Sequence, residues 1–413
     1  MNGRGMDSMR VAAWRKMGTA GAWLMGVVLL LLMSILAASC GGPAGPAVAE
    51  AAARGYPRVG AYVGVRSGGA PLVKPDGTVD SAVCRQFSRF PQVAVDLNAL
   101  LISPAIIPTL LKFNPDIEIG GYHHTVSWWL APDFPVQASD KTFDADWHRG
   151  LQGTGGFIAG VPREYQVNVG KKATIDTMTT LLIGGFQRAR IRAFFGDYWS
   201  PVASWVPVGN EFTDNTRVQN MSAMVRRLRG ALPYGFRVYG NGTGAERCGL
   251  DGTLVEGFPN ALATGAFAVA IKQHDGDWLK SEGTFADKRT QRYALGTACM
   301  TGATLTYGAQ EVSPGGQPWP GTWWFDEWSV DQNGKPDYTG AHTGWLGDPL
   351  GLNVKLANGL YVRYFQHGVV LVNPTASAQT ADVQNPRWKR IGQAVPDATL
   401  TVPAMDALFL WGE

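Results

Sequence analysis

Short apolar runs recur along the chain from residue 56 onward, and most of them end at a glycine or at a polar or charged residue. Runs of this length, bounded by turn residues, predict β-strands. The eight predicted strands cover residues 58–64, 92–98, 116–122, 190–197, 236–241, 253–256, 278–281 and 304–308. The seventh has an alternative at 267–271, but 278–281 is preferred because it leaves 289–300 as the following helix.

Helical segments separate several of these strands. Ser103 and Pro104 form a good helix start, residues 175–183 have a helical pattern, and residues 216–230 predict a basic amphipathic helix. The connection between the fifth and sixth strands is too short for a full helix. Strands that alternate with crossovers are typical of the α/β class, and eight of them predict a (β/α)₈ TIM barrel over residues 56–343.

The pattern changes near residue 344. Residues 359–373 predict two strands joined by a tight turn at 366–368, and 399–402 and 407–411 predict two more. These strands favour a small antiparallel, β-sandwich-like module at residues 344–413, packed against the barrel.

The N-terminal segment has the pattern of an export signal. Basic residues precede an almost unbroken apolar run from Ala20 to Ala38, and small residues follow it. Residues 1–40 resemble a signal peptide with a bacterial lipobox, which would make Cys40 the lipidated residue, although the branched residue stands four rather than three positions before it. A signal cleaved after Ala49 and an uncleaved anchor are the alternatives. Residues 41–55 predict a flexible linker. We expect an exported protein at the bacterial cell surface or envelope, or a secreted one.

Composition narrows the class of partner. The net charge is +3, and no Lys/Arg stripe or zinc-finger spacing points to nucleic acid. The chain has 15 Trp and 52 Gly, and such a tryptophan excess fits a sugar-binding surface, although core packing is the alternative for any single ring. Besides Cys40 there are Cys84, Cys248 and Cys299, which leave open one disulfide plus a thiol or three buried thiols.

Two carboxylates end predicted strands on one rim of the barrel. Asp197 ends the fourth strand and Glu256 the sixth. A pair of carboxyl groups on the rim is the smallest set of catalytic groups that a glycoside hydrolase needs. One group protonates the leaving oxygen, and the other stabilises or captures the anomeric carbon. A separation of roughly 5 Å predicts a retaining enzyme and roughly 6.5–9.5 Å an inverting one. Each residue alone is more often a turn or capping residue.

Other rim residues are candidates for binding a sugar. The predicted substrate-binding set comprises Asp96, Tyr122, His123, Tyr198, Trp199, Asn241, Trp323, Trp324 and Glu327. Asp96 has a buried structural role as its alternative, and Asn241 a turn role. One of His123 and His124 is expected to bond a sugar hydroxyl, since no spacing supplies the further ligands of a metal site. The tryptophans after the eighth strand would stack on sugar or pack between barrel and module. We expect no metal and no cofactor.

Five segments resemble the barrel glycosidases grouped as glycosyl-hydrolase-like family 15. They are Asn114-Pro115, Phe194-Phe195-Gly196-Asp197, Asp251 to Glu256, Trp324 to Glu327, and the tail from Gly344 to Gly351 and on to Pro374. The resemblance covers most of residues 56–413 and implies the barrel and a glycosidase activity. At the fourth strand that family more often has Leu-Asp or Asp-Asn, whereas here Gly196 precedes the carboxylate.

The resemblance to barrel glycosidases of the α-galactosidase type gives the two carboxylates their roles. In those enzymes carboxylates on the fourth and sixth strands react, which implies Asp197 as nucleophile or base and Glu256 as general acid. The predicted function is therefore a glycosidase that acts on an extracellular oligo- or polysaccharide. The alternative is a non-catalytic carbohydrate-binding lipoprotein on the same barrel. An ester hydrolase is disfavoured because no Gly-x-Ser-x-Gly elbow is present.

Overall fold

The computed structural model describes one compact unit, which belongs to Ala53–Glu413. The residues described are 55–63, 72–74, 76–125, 127–129, 164–166, 169–197, 199, 201, 212–242, 244–258, 267, 277–281, 285–307, 323–381, 388–397 and 399–412. The predicted export signal, Cys40 and Tyr198 lie outside these residues. Among the residues described, no helix combines the length and the apolar character needed to cross a membrane.

Eight parallel strands form the barrel. They are β1 (Gly60–Val63), β2 (Gln92–Asp96), β3 (Glu118–His124), β6 (Ala193–Asp197), β7 (Arg237–Gly240), β8 (Gly252–Phe258), β9 (Trp278–Ser281) and β10 (Thr304–Tyr307). They pair in this order, and a short antiparallel pair, β4 (Ser127–Trp129) and β5 (Glu164–Gln166), follows β3 in the chain. The first and last strands also meet, because the Leu305 amide donates to the Arg58 carbonyl at 2.9 Å and a parallel bridge joins Val59 to Leu305.

Six helices are described, together with one 3₁₀ turn. They are α1 (Ser81–Phe87), α2 (Leu97–Ile102), α3 (Ile106–Phe113), α4 (Lys172–Ala189), α5 (Asp214–Ala231) and α6 (Lys288–Thr301), with the turn at Ala245–Cys248. Side chains that accept bonds from first-turn amides cap three of them: Asp80 for α1, Thr213 for α5 and Asp287 for α6. The 3₁₀ turn lies between β7 and β8, where the sequence leaves no room for a full helix.

Aromatic side chains fill the inside of the barrel. Phe195 lies at its centre, stacked on Tyr239 with ring centroids 4.8 Å apart and edge-on to Trp278 at 4.6 Å. Glycines on β1 and β3 make the room: a Cβ on Gly60 would lie 2.5 Å from the Trp278 ring, and one on Gly120 would lie 2.3 Å from Phe195. The interior is therefore packed solid below the rim that carries the candidate site.

The C-terminal residues form two small antiparallel sheets. Their strands are β11 (Val354–Lys355), β12 (Tyr361–Tyr364), β13 (Gly368–Asn373), β14 (Gln379–Ala381), β15 (Lys389–Arg390), β16 (Leu400–Val402) and β17 (Asp406–Trp411). Five of them pair in the order β11-β12-β13-β17-β15, and β14 pairs with β16. One face of the larger sheet packs on α6, where a Cβ on Gly296 would lie 2.5 Å from Ala407. Its other face shares an apolar core with the smaller sheet, as in a sandwich.

These observations confirm the predicted fold class and most of its elements. Every predicted barrel strand is present, and the seventh is 278–281 rather than 267–271. The helices predicted at 216–230 and 289–300 extend one or two residues farther at both of their ends. Of the two cysteine alternatives, the structure has the second, because Cys84, Cys248 and Cys299 are all free and buried.

Candidate active site

The C-terminal ends of the strands, which we call the barrel mouth, bring polar side chains from β3, β6 and β7 together. In the sheet register His124 lies opposite Asp197, and Gly196 lies opposite Gly240. Successive residues of a strand alternate between the two faces. Because Phe195 points into the barrel, Asp197 also points inward, at the top of the aromatic core.

The Asp197 carboxylate is held at both oxygens. The Tyr122 hydroxyl donates to Oδ2, and the side-chain amide of Asn241 donates to Oδ1 at 3.0 Å. His124 Nε2 lies 3.6 Å from the same Oδ2. The Asp197 side chain keeps 17% of its surface exposed, whereas that of His124 keeps 3%. The carboxylate is therefore fixed in direction and still reachable from the mouth.

Tyr122 connects His124 with Asp197. Its hydroxyl oxygen lies 3.0 Å from His124 Nε2, and burial together with neighbouring Tyr62 and Asp197 raises the pKa of Tyr122 well above its ordinary value. Tyr122 is therefore neutral and gives its one proton to Asp197, so that its hydroxyl oxygen is left to accept a hydrogen bond from the His124 ring. Tyr62 packs edge-on against Tyr122, with centroids 4.7 Å apart.

Backbone contacts fix the strand end that carries the carboxylate. The Thr125 amide and hydroxyl both donate to the Asp197 carbonyl, at 2.8 and 3.0 Å. The backbone amide of Asn241 donates to the Gly196 carbonyl at 2.9 Å. A side chain at Gly196 would collide with the Trp199 ring, since an added Cβ would lie 2.5 Å from it. The site is thus built on rigid strand ends rather than on loops.

Glu256 lies on the same rim, two strands away from Asp197. The register of β8 against β9 shifts between Val255 and Phe258, which places Glu256 in a β-bulge. Bulges re-aim side chains near barrel rims. Glu256 is exposed, and neighbouring strands are about 4.8 Å apart, so roughly 10 Å separates the axes of β6 and β8. That spacing accommodates either stereochemical outcome once the two side chains extend inward.

Asp96, His123 and His124 occupy different positions around the mouth. The half-buried Asp96 accepts from the Ala99 amide at 3.3 Å, at the start of α2. His123 is buried and bonds through Nδ1 to the carbonyl of His124 at 2.7 Å. It is His124, on the same strand face as Tyr122, that reaches Asp197. Side chains alternate between the two faces of a strand, so His124 shares the inward face of β3 with Tyr122, and this pattern could have selected it for the site from the sequence. The same alternation in β1 could have added Tyr62.

The structure corrects the predicted role of two tryptophans. Trp199 is completely buried and covers Gly196 and Gly240, so its ring has no surface for a sugar. Trp324 is 6% exposed and packs edge-on against Phe90, with its indole nitrogen bonded to the Asp337 carbonyl at 3.0 Å. Both rings are packing residues, which was the alternative for single tryptophans.

Trp323 and Glu327 are not joined to the Asp197 cluster by any contact that the structure describes. Trp323 is half-buried and packs near Phe285, with centroids 6.0 Å apart. Burial raises the pKa of Glu327 to about 7, and its charged neighbours are Arg292, Asp326 and Asp406, which do not lie at barrel strand ends. Within the described part of the chain, no three His, Cys, Asp or Glu side chains group as metal ligands would.

Comparison with known proteins agrees with this architecture. No protein-family model matches the chain, and no curated protein matches it. An α-amylase from Geobacillus thermoleovorans, solved in complex with acarbose, has a TM-score of 0.50 at 11% identity, covering 86% of this chain and 97% of its own. A noncanonic maltogenic α-amylase from Thermotoga neapolitana has a TM-score of 0.50 at 10% identity, covering 86% and 96%. This likeness establishes the barrel fold, while the resemblance to glycosyl-hydrolase-like family 15 stays a prediction.

Proposed function

We propose that this protein is a glycoside hydrolase in which Asp197 acts as nucleophile or base and Glu256 as general acid. The observation that carries the proposal is the Asp197 carboxylate, held by Tyr122 and Asn241 at the mouth of a barrel. The solved structures with this fold include an amylase that binds acarbose and a maltogenic amylase, which supports a sugar substrate.

The surroundings of Asp197 suit a carboxylate that must meet a developing positive charge. Two donors fix its oxygens, so little reorganisation is needed when the anomeric carbon becomes cationic. Glu256 stands exposed on the same rim, on a bulge that re-aims its side chain. A sugar bound between β6 and β8 would place its glycosidic oxygen toward Glu256, which would donate the proton to the leaving group.

The non-catalytic binding alternative explains less of this arrangement. A binding site needs hydrogen bonds and a stacking surface, but it does not need one carboxylate locked through both oxygens. The three side chains around it come from separate parts of the fold: Tyr122 and His124 lie on β3, and Asn241 directly follows β7.

The test is hydrolysis by the purified full-length chain on a panel of aryl glycosides and polysaccharides. We expect turnover on at least one substrate, and Asp197→Asn should lower kcat by several orders of magnitude while the thermal unfolding curve stays in place. Asp176→Asn is the matched control, because Asp176 is an exposed carboxylate on α4 paired with Lys172 and Arg227.

Glu256→Gln separates the two roles. Without an acid, hydrolysis of unactivated sugars should fall about 10²–10⁴-fold, whereas aryl glycosides with good leaving groups should lose much less. Equal losses on both kinds of substrate would argue against Glu256 as the acid. Glycan binding without turnover by the parent protein would replace the enzyme with the binding-protein alternative.

The proposal includes a place outside the cytoplasm, with an extracellular oligo- or polysaccharide as substrate and attachment at Cys40. Its support is the apolar run from Ala20 to Ala38 and the small residues that precede Cys40. Cell fractionation of the parent chain and of Cys40→Ser tests it: a lipoprotein should move from the membrane to the soluble fraction, or remain an unprocessed precursor, when Cys40 is replaced.

A further inference from the structure

Four exposed apolar side chains cluster on one edge of the C-terminal module. Leu350, Leu352, Val354 and Tyr364 are 65%, 87%, 54% and 45% exposed, and we call them the apolar edge. They are four of the nine large hydrophobic side chains that are exposed among the described residues. Scattered exposed hydrophobics need no explanation, but a contiguous group marks a contact surface.

The apolar edge is held in place by hydrogen bonds. The Leu350 amide donates to the Tyr364 carbonyl at 2.9 Å, and Val354 pairs with Val362 across β11 and β12. Three residues therefore lie between Leu350 and Val354, whereas only Arg363 lies between Tyr364 and Val362, so the longer segment bulges outward with Leu352 at its middle. Asn353 and Arg363 fix the bulge, by bonds to the Met300 carbonyl at 3.1 Å and to the Gly351 carbonyl at 3.2 Å. Leu352 is thus presented to solvent by fixed backbone.

The apolar edge lies at the end of the barrel opposite the mouth. Arg363 donates to the Cys299 carbonyl at 2.7 Å, at the C-terminal end of α6. That end of α6 leads directly into the first residue of β10, Thr304. Asp197 is instead the last residue of its strand. The two surfaces are therefore separated by the length of the barrel strands.

The N-terminal segment joins the described fold beside the apolar edge. The Tyr56 amide donates to the Gly347 carbonyl at 2.9 Å, and the Leu346 amide donates back to Tyr56 at 2.7 Å. The Tyr56 ring packs on Phe365, with centroids 5.3 Å apart. The covalent link to Cys40 and the rest of the N-terminal segment therefore leaves the described fold at this end of the barrel.

We propose that the apolar edge docks on a phospholipid bilayer surface, with its four side chains in the head-group region. The predicted attachment supplies the reason for choosing lipid as the occupant, since lipidation at Cys40, or the apolar run from Ala20 to Ala38 in the uncleaved alternative, would hold the chain at a membrane. If the predicted linker at residues 41–55 behaves as a flexible chain, its root-mean-square span is about 21 Å, so the module stays close to the bilayer. Tethering raises the local concentration, and a shallow contact made by few side chains then suffices.

Charge next to the apolar edge agrees with a lipid surface. The exposed Lys355 and the half-buried Arg363 flank it, and they outweigh the single acidic neighbour Asp348. Anionic phospholipids attract such basic residues. Docking in this way turns the barrel mouth, and with it Asp197, away from the bilayer toward the surrounding medium.

The test reconstitutes the full chain into vesicles of phosphatidylcholine and phosphatidylglycerol, with a nitrobenzoxadiazole probe on Leu352→Cys. Val395→Cys is the matched control, because Val395 is 71% exposed and follows β15, at the opposite edge of the same sheet. Three native cysteines of the fold are buried, and labelling of the parent chain gives the background. The readouts are the probe's emission maximum and its rate of reduction by external dithionite.

We expect the probe at 352 to emit at shorter wavelength and to be reduced several-fold more slowly than the probe at 395. The comparison of the two positions also corrects for molecules that face the vesicle lumen. A Leu350→Asp change in the same chain should abolish the difference without lowering the unfolding temperature. Equal reduction rates at the two positions would overturn the proposal. Protection that grows with protein density at constant lipid would also overturn it, because it would indicate that a second copy covers the apolar edge. A chain that fails to float with the vesicles would overturn it as well.

Discussion

Replacement of Tyr122 by phenylalanine removes one hydroxyl and leaves the ring in place. The hydroxyl donates to Asp197 Oδ2 and lies 3.0 Å from His124 Nε2. The ring keeps its edge-on contacts with Tyr62 and His124, at 4.7 and 5.7 Å. Asp197 keeps the donor Asn241 on its other oxygen. The change therefore removes one donor from Asp197 Oδ2 and alters almost nothing in the packing.

The size of the effect follows from the kind of bond that is lost. A hydrogen bond to a charged group contributes about 1.5–3 kcal/mol. If that free energy holds the carboxylate of Asp197 in its reactive direction, its loss lowers kcat by about 10- to 150-fold. The KM should change little. Tyr122 pairs in register with Phe195, two residues before Asp197, and its hydroxyl is already bonded to the carboxylate.

Steady-state kinetics on the best substrate of the panel measure this effect. Tyr307→Phe is the control, since the Tyr307 hydroxyl donates to the Asp287 carbonyl at 3.0 Å and has no contact with Asp197 among the described residues. It should lower the unfolding temperature slightly and leave kcat unchanged. In a chain that already carries Asp197→Asn, Tyr122→Phe should have no further effect. Full kcat in Tyr122→Phe, with Asp197→Asn inactive, would refute the positioning role.

Three further predictions concern stability. Gly120→Ala should destabilise the fold by about 1–3 kcal/mol in urea unfolding, because its Cβ would lie 2.3 Å from the Phe195 ring, which is wedged between two other rings. Arg292→Met should cost about 3–5 kcal/mol, since it removes the guanidinium that donates to both oxygens of the buried Asp406 carboxylate, at 2.9 and 2.7 Å. Burial raises the pKa of Glu327 from 4.5 to about 7, so between these pH values the folded state keeps a proton that the unfolded state has lost. The free energy of unfolding should therefore fall as pH rises from about 4.5 to 7, by on the order of 3 kcal/mol.

Each of these three has a matched comparison. Gly184→Ala, in the middle of α4 with nothing within 4 Å of its Cβ, should stabilise the protein by about 0.5–1 kcal/mol, and a loss there would question the steric argument. Arg227→Met breaks an ion pair whose two side chains are 41% and 38% exposed, and it should cost under about 1 kcal/mol. Glu327→Gln should remove its share of the pH slope, and an unchanged slope would assign it to other groups.

The barrel could be predicted because its strands are local features of the sequence. Each is a short apolar run, and the choice of 278–281 over 267–271 followed from the helix that had to come next. Asp197 could be proposed for the same reason, since it is the residue at which such a run ends. The bulge that carries Glu256 could not be predicted, because it depends on the register between β8 and β9.

The aromatic residues show why the rest of the site was harder to read. Trp199 follows the rim carboxylate closely, which favours a role in binding. Its ring instead covers two backbone positions, Gly196 and Gly240, that come from different strands. Space left by glycines on neighbouring strands is a tertiary property that sequence spacing does not reveal. His124 is the opposite case, since alternation along β3 contains the information and selects it over His123.

The aromatic core of the barrel also provides an optical signature of the native fold. Trp278 lies edge-on to Phe195, and its indole nitrogen donates to the Thr306 hydroxyl at 2.7 Å. Rings fixed in such an asymmetric arrangement give a near-ultraviolet circular dichroism signal that vanishes when tertiary packing is lost. Phe195 is two residues before Asp197, so the same spectrum reports on the strand that carries the carboxylate. An inactive variant that keeps this spectrum has lost its chemistry and not its fold.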